Sequence, residues 1–308
     1  MEEGFTPPSH PPPLLTNGQI LSFAAQGHMN FPLPSQLQQS YKKVFETANQ
    51  FFAQANETKS KLYPNPEGRP EVGYTNNVGE KQYLTLRCRT HPDMDLEKHV
   101  RDAWHDTGML LLRVLVDLAY AMGLADPDQV WDPVLDGCLT LPGSEEESTT
   151  TIFRVFEYEP LSGVAESHVD IGLLTLCVCQ GDGLQVQHLT NEGPVWKDVE
   201  GPTLLAASAL QSLTGMKVRA GRHRVVANPK GRSSIIFALR PSLRHEIDLR
   251  VYGGGISTSP KEFWGKHTSA RYNINASANE RERQKDAILK RKEKTMKYAE
   301  GTLEKVVG

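Results

Sequence analysis

The chain has 308 residues, 38% hydrophobic and 23% charged, with a net charge of −3. That is enough for a sizeable core in one large domain or two modest ones, and it offers no overall positive field to draw in nucleic acid or a membrane surface. Four cysteines (Cys88, Cys138, Cys177, Cys179) are too few for a disulfide framework and lack zinc or thioredoxin spacing, no apolar run reaches the ~18 residues of a membrane span, and no leader pattern opens the chain, so a reducing cytoplasm is the expected setting.

Residues 1–13 are proline-rich and are expected to form a flexible arm. Leu37, Tyr41, Val44, Phe45, Ala48, Phe51 and Phe52 recur at helical spacing and predict a helix over 36–55. Residues 65–78, rich in Pro, Gly and Asn, read as loop. A longer helix is predicted over 96–122, with Val100, Trp104, Met109, Leu112, Leu115 and Leu118 as its apolar stripe and Gly123 as its stop. Residues 14–147 thus read as a mainly helical region packed on a core formed later in the chain. From 148 to 245 the character changes to short β-like runs (TTIFRVFEY, HVDIGLLTLCVC, LQVQHL, PTLLAA, HRVVAN, RSSIIFAL) punctuated by Gly, Asn and Pro, the pattern of a sandwich or jelly roll. Residues 246–308 form an extension ending in a charged helix, with Leu289, Met296 and Leu303 seven apart. Its alternating charges suit a solvated face packed on the body, with too few heptads for a coiled coil, so a monomer is expected. The expected class is mixed α/β: an all-β core flanked by N-terminal and C-terminal helices.

Two short segments carry chemistry. His168 and Asp170, two apart in an apparent strand, would point the same way, and an ionised Asp beside Ile171-Gly172-Leu173-Leu174 needs a partner or a metal. By itself such a pair is more often a surface pair or a strand-end cap. His223 strengthens the metal reading, since two His and one carboxylate are the donor set of non-haem Fe(II) oxygenases. Asn228-Pro229-Lys230-Gly231 reads as a type I turn, making 223–236 a hairpin in which His223 opposes Ile236. That register sets His223, Val225, Arg232 and Ser234 on one face. A buried Arg232 needs a carboxylate, none lies on that face, and a carboxylate ligand, with Ser234 donating a further hydrogen bond, answers the need. His188, in LQVQHL, competes as a ligand but reads better as a satisfied strand histidine. Cys177 and Cys179 should share one strand face as core thiols.

Over 150–240 the chain resembles the isopenicillin N synthase-like group of Fe(II)/2-oxoglutarate oxygenases. The likeness is carried by His168-Val169-Asp170, His223 and an Arg232-Ser233-Ser234 nine residues later, with lesser matches in FRVFEYEP at 153–160, GLQV at 183–186 and Trp196-Lys197-Asp198-Val199. It implies a double-stranded β-helix and Fe(II) on His168, Asp170 and His223. It also implies O2 as oxidant and 2-oxoglutarate as co-substrate, its far carboxylate held by Arg232, Ser234 and Tyr158. The implied reaction oxidises an unactivated C–H bond of a small molecule by hydroxylation, desaturation or ring closure, with decarboxylation of 2-oxoglutarate to succinate. Alternation on 153–158 puts Arg154 and Phe156 on the Tyr158 face, making Arg154 a candidate for an acidic substrate group. The chain departs from the group at Phe156, where many members carry Asn, and at Ala207-Ser208-Ala209-Leu210, which replaces Gly-Asp-x-Leu; the opening strand is hard to find. Two other readings stay open: an isopenicillin N synthase-like oxidase in which Arg232 and Ser234 hold the substrate's own carboxylate, and a non-catalytic jelly-roll binding protein.

Overall fold

A computed structural model describes residues 12–65, 71–255, 257–268 and 272–291. The proline-rich arm, apart from its last two residues, and Met296 and Leu303 of the terminal helix lie outside them. In chain order the elements are α1 (Asn17–Gln26), β1 (His28–Asn30), α2 (Ser35–Phe52), α3 (Asn56–Leu62), β2 (Gly73–Asn77), β3 (Lys81–Leu86), α4 (Asp95–Met122), α5 (Asp132–Leu135), β4 (Ile152–Tyr158), β5 (Ala165–His168), β6 (Leu174–Gln180), β7 (Leu184–Thr190), β8 (Gly193–Asp198), β9 (Thr203–Ala206), α6 (Ser208–Leu213), β10 (His223–Val225), β11 (Arg232–Leu239) and α7 (Pro260–Thr268); residues 278–291 are also helical. No helix among them is long and apolar enough to cross a membrane.

The strands form two antiparallel sheets, one of seven strands in the order β1-β9-β6-β11-β4-β3-β2 and one of four in the order β5-β10-β7-β8. Alternation explains how the larger sheet is buried on both faces. Phe153, Val155, Leu174, Leu176, Ile235, Phe237 and Leu239 face the helical layer, where α2 contributes its predicted stripe and α4 contributes Val100, Trp104, Leu111, Leu115 and Leu118. The opposite face presents Tyr83, Phe156, Tyr158 and Cys177, which pack against Ala165, Leu184 and Val225 of the smaller sheet. The space between the sheets is therefore partly apolar core and partly a polar site.

The structure departs from the sequence-based expectation in five places. Met109 is 43% exposed and the α4 stripe runs instead through Leu111 and Val114; five residues past Trp104, Met109 falls well round the helix. Residues 73–77, read as loop, form β2, which pairs with β3 in the register Tyr74↔Leu84: a partner strand outweighs weak local propensity. The opening strand is β1, three residues paired with β9. The run from His168 onward is not one strand, because β5 ends at His168 and Asp170 sits in the connection to β6. Lastly, 223–236 is not a hairpin. Its turn forms, with Gly231 N–H donating to the Asn228 carbonyl at 3.1 Å, but β10 pairs with β5 and β7 while β11 pairs with β4 and β6. The turn carries the chain from one sheet to the other. Both strands still turn their alternate residues inward, so His223 and Arg232 share the intersheet space by a route other than cross-strand pairing.

Candidate metal centre

Strands β5 and β10 pair so that His168 lies opposite His223. Their rings approach with centroids 4.1 Å apart. Asp170 reaches them from the β5–β6 connection, with His168 Nε2 3.7 Å from Asp170 Oδ1 and His223 Nε2 4.0 Å from Asp170 Oδ2. That connection is fixed by α6, whose Ser208 and Ala209 N–H groups donate to the carbonyls of Asp170 and Ile171 at 2.9 and 3.1 Å. The His–Asp pair therefore meets through a stapled loop and not through the two-residue repeat of a strand. All three donor atoms lie within 4.8 Å of one another.

The imidazoles are oriented by one device used twice. His168 Nδ1 is bound to the Glu166 carbonyl at 2.7 Å and His223 Nδ1 to the Gly221 carbonyl at 3.1 Å, each two residues earlier in the chain. Carbonyls accept, so both Nδ1 atoms carry the proton and both Nε2 lone pairs face the shared point. Burial, and then the neighbouring His223, push the His168 pKa from 6.5 down to about 3, which keeps this ring neutral. Burial alone would raise Asp170, but His223 and His168 outweigh it and hold the carboxyl below its usual range. Neutral imidazole and ionised carboxylate are the forms that ligate a metal.

These shifts and contacts carry consequences. Between pH 6.5 and 3 the unfolded chain takes up a proton at His168 that the folded chain refuses, so stability falls as pH drops through that window. The metal-free protein is expected to lose at most about 1.4 kcal/mol per pH unit below pH ~6.5, read as a falling urea midpoint. Gly221 matters for space: a Cβ there would lie 2.2 Å from the Gly27 carbonyl oxygen. Gly221→Ala must shift the backbone that holds His223, and iron affinity should fall about ten- to a hundredfold, measured by calorimetric Fe(II) titration.

Across the intersheet space, Arg232 is 5% exposed and packs over the Tyr158 ring at 5.4 Å. Tyr158 is its register partner on β4, and Ser234 pairs with Phe156. The Arg232 Nη2 donates to Cys179 Sγ, while Nε and Nη1 are buried without an acceptor among the described residues. Cys177 is within electrostatic reach of both Arg232 and Asp170. Arg154 lies on the same face, its Nε donating to Thr85 Oγ1 at 2.7 Å, and Phe156 lies between the tilted rings of Tyr83 and Tyr158, 5.3 Å from each. A cavity of about 500 Å³ opens onto His168 and Asp170 and is also lined by Arg154, Glu71, Arg240 and Tyr272. His188 stays out of the cluster and stands edge-on to His28 at 5.6 Å.

Three features escape a reading of the sequence alone. Arg240 grips Glu71 with two hydrogen bonds of 2.8 and 2.9 Å; Glu71 sits in a stretch read as loop, so nothing local points to it. Lys81 is fully buried over the Tyr158 ring, one N–H on the Val164 carbonyl, and burial with Arg281 nearby pushes it down to about 7; alternation of Lys81, Tyr83 and Thr85 is the available signal. Glu166 accepts from Arg281, Lys285 and Tyr272, tying the C-terminal segment over β5.

No family model matches the chain. A 2-oxoglutarate-dependent dioxygenase, frbH, of Dothideomycetidae sp. (strain 11243) is 32% identical over 128 residues, and the match spans 39% of this chain and only 39% of that relative's length. Among solved structures, a full-length Neurospora crassa protein in complex with alpha-KG and thymine aligns with a TM-score of 0.63 at 17% identity, covering 82% of this chain and 92% of that one. A 2OG-Fe(II) oxygenase family protein from Caulobacter crescentus aligns at 0.63 and 18%, covering 80% and 91%. Dioxygenase for auxin oxidation 1 from Arabidopsis thaliana, as its 2-oxoglutarate complex, aligns at 0.58 and 17%, covering 75% and 90%. The chain therefore shares its fold with these Fe(II)/2-oxoglutarate oxygenases.

Proposed function

We propose that the protein is an Fe(II)- and 2-oxoglutarate-dependent dioxygenase of the isopenicillin N synthase-like group, acting on a C–H bond of a small molecule. On this reading the two sheets are the halves of a double-stranded β-helix, and residues 148–245 are its catalytic core. The helical region before and the extension after cover the substrate side. His168, Asp170 and His223 would hold Fe(II), a donor set suited to that ion. Arg232, with Ser234 and Tyr158, would hold the far carboxylate of 2-oxoglutarate. Fe(II) bound there, with 2-oxoglutarate and O2, supplies C–H oxidation coupled to decarboxylation of 2-oxoglutarate to succinate.

The observation that carries the reading is Arg232: a buried guanidinium with two nitrogens, Nε and Nη1, that lack an acceptor among the described residues, in the same intersheet space as a converging His–Asp–His cluster. Such donors are costly to leave unpaired, and a carboxylate is a strong acceptor for them. The chain's own residues then have defined tasks. The Glu166 and Gly221 carbonyls aim the imidazoles, Tyr158 and the apolar cluster around Leu184 and Val225 keep water from the carboxylate end, and the cavity beside His168 admits the substrate. The test is slow turnover without substrate: purified protein with Fe(II), 2-oxoglutarate and O2 is expected to release succinate. Iron-independent release, or none while an added substrate is oxidised without 2-oxoglutarate, would refute it and favour an oxidase.

A further inference from the structure

The cavity beside the triad contains charged groups that are unevenly paired by hydrogen bonds. Two buried guanidiniums line it, Arg154 and Arg240, each 6% exposed. Among the described residues one carboxylate is hydrogen-bonded to either of them: Glu71, committed to Arg240 by two hydrogen bonds. Asp170, the other acid on the wall, faces the two imidazoles. Arg154 is left with a single hydrogen bond, from Nε to Thr85 Oγ1, and its terminal nitrogens have no hydrogen-bond partner among the described residues. Its flanks rest on the Tyr83 and Phe156 rings, 5.3 and 5.7 Å from the guanidinium carbon. The rings and Thr85 fix the plane of the group without neutralising it. Arg222, at the rim, is exposed to solvent and adds no such demand.

We infer that the substrate carries a carboxylate, and that Arg154 receives it through its two terminal nitrogens, making Arg154 a specificity-determining residue. The inference rests on the oxygenase reading of the same site for the identity of the bound molecule as substrate. Arg154 brings one positive charge that no carboxylate meets by a hydrogen bond among the described residues, which matches a carboxylate rather than a phosphate monoester of charge about −2. A buried, rigidly held guanidinium with free donors favours a planar bidentate acceptor. The cavity, about 500 Å³, has room for a small molecule beyond its acid group. Arg154 and Arg232 thereby divide the labour: both recognise carboxylates, one at the substrate cavity and one at the co-substrate end.

The test uses the full chain and a panel of short alkyl and aryl monocarboxylates, each paired with its primary amide and with a phosphate monoester of similar shape. Binding is measured by calorimetry on protein loaded with Mn(II) and 2-oxoglutarate, and again without either. Acids are expected to bind about ten- to a hundredfold tighter than their amides, and Arg154→Gln should erase that preference. Arg154→Lys, which keeps the charge but loses the planar fork, should retain only part of it; circular dichroism of both variants reports folding. Equal binding of acid and amide by the wild type, absence of binding by every acid, or tighter binding of the phosphate esters overturns the inference without recourse to a variant. An acid preference that survives Arg154→Gln but vanishes in Arg232→Gln would locate the probe at the co-substrate end and also overturn it. If acids bind through Arg154 while 2-oxoglutarate binds nowhere, the anion subsite stands and the oxygenase reading falls.

Discussion

Asp170→Ala is expected to lower iron-dependent succinate formation about a thousandfold or more, the scale of several kcal/mol of lost metal assistance. Asp170 is the anionic donor of the three, and its two oxygens face the two Nε2 atoms. Removing it leaves two imidazole nitrogens, a poor home for a divalent ion that prefers mixed nitrogen and oxygen donors. The same loss should appear in calorimetric Fe(II) binding, which separates a failed metal site from a damaged substrate pocket. His168→Ala should behave alike. Full iron-dependent turnover in either variant would remove the triad from the mechanism.

The second large effect concerns Arg232. Arg232→Gln should raise the KM for 2-oxoglutarate about ten- to a hundredfold, the cost of losing charge-assisted hydrogen bonds to a carboxylate. At saturating 2-oxoglutarate, kcat should change far less, because the interaction is made equally in the ground state and the transition state. The variant has a second signature. Without ligand, Arg232 is a buried cation whose Nε and Nη1 have no acceptor among the described residues, so replacing it should raise, not lower, the melting temperature of the ligand-free protein. A lowered melting temperature with unchanged KM would mean that Arg232 is a structural residue held by Cys179 and the Tyr158 ring.

These two predictions differ in how directly the sequence leads to them. The α2 stripe from Leu37 to Phe52 is readable because every apolar residue repeats with the helical period and faces one core. The same holds for the β-like runs between 150 and 240, most of which form strands, and for the His–Asp–His donor set, whose residue types alone restrict the chemistry. Local spacing predicts that Arg232 and His223 share an interior, yet for the wrong reason: a hairpin register that the structure replaces with a crossing between sheets. The error is physical. A type I turn at Asn228-Pro229 is a local preference and forms as expected, but which strand each arm pairs with is decided by nonlocal hydrogen bonds. Those go to β5 and β7 on one side and to β4 and β6 on the other.

What the sequence by itself determined, then, is what depends on residue type and short-range period: the helices read over 36–55, of which the structure ends the first at Phe52, and over 96–122, the all-β middle, the three candidate ligands, and the arginine nine residues past the last of them. Tertiary structure alone decided how those parts meet. It brought Asp170 to the imidazoles through a loop stapled to α6, fixed each imidazole with a carbonyl two residues back, paired Glu71 with Arg240 across 169 positions, and left Arg154 without a hydrogen-bonded carboxylate among the described residues. The reason is that charge balance and hydrogen-bond satisfaction belong to a volume, not to a segment. Only when distant segments fill the same volume does it become visible which donors already have acceptors and which still await one.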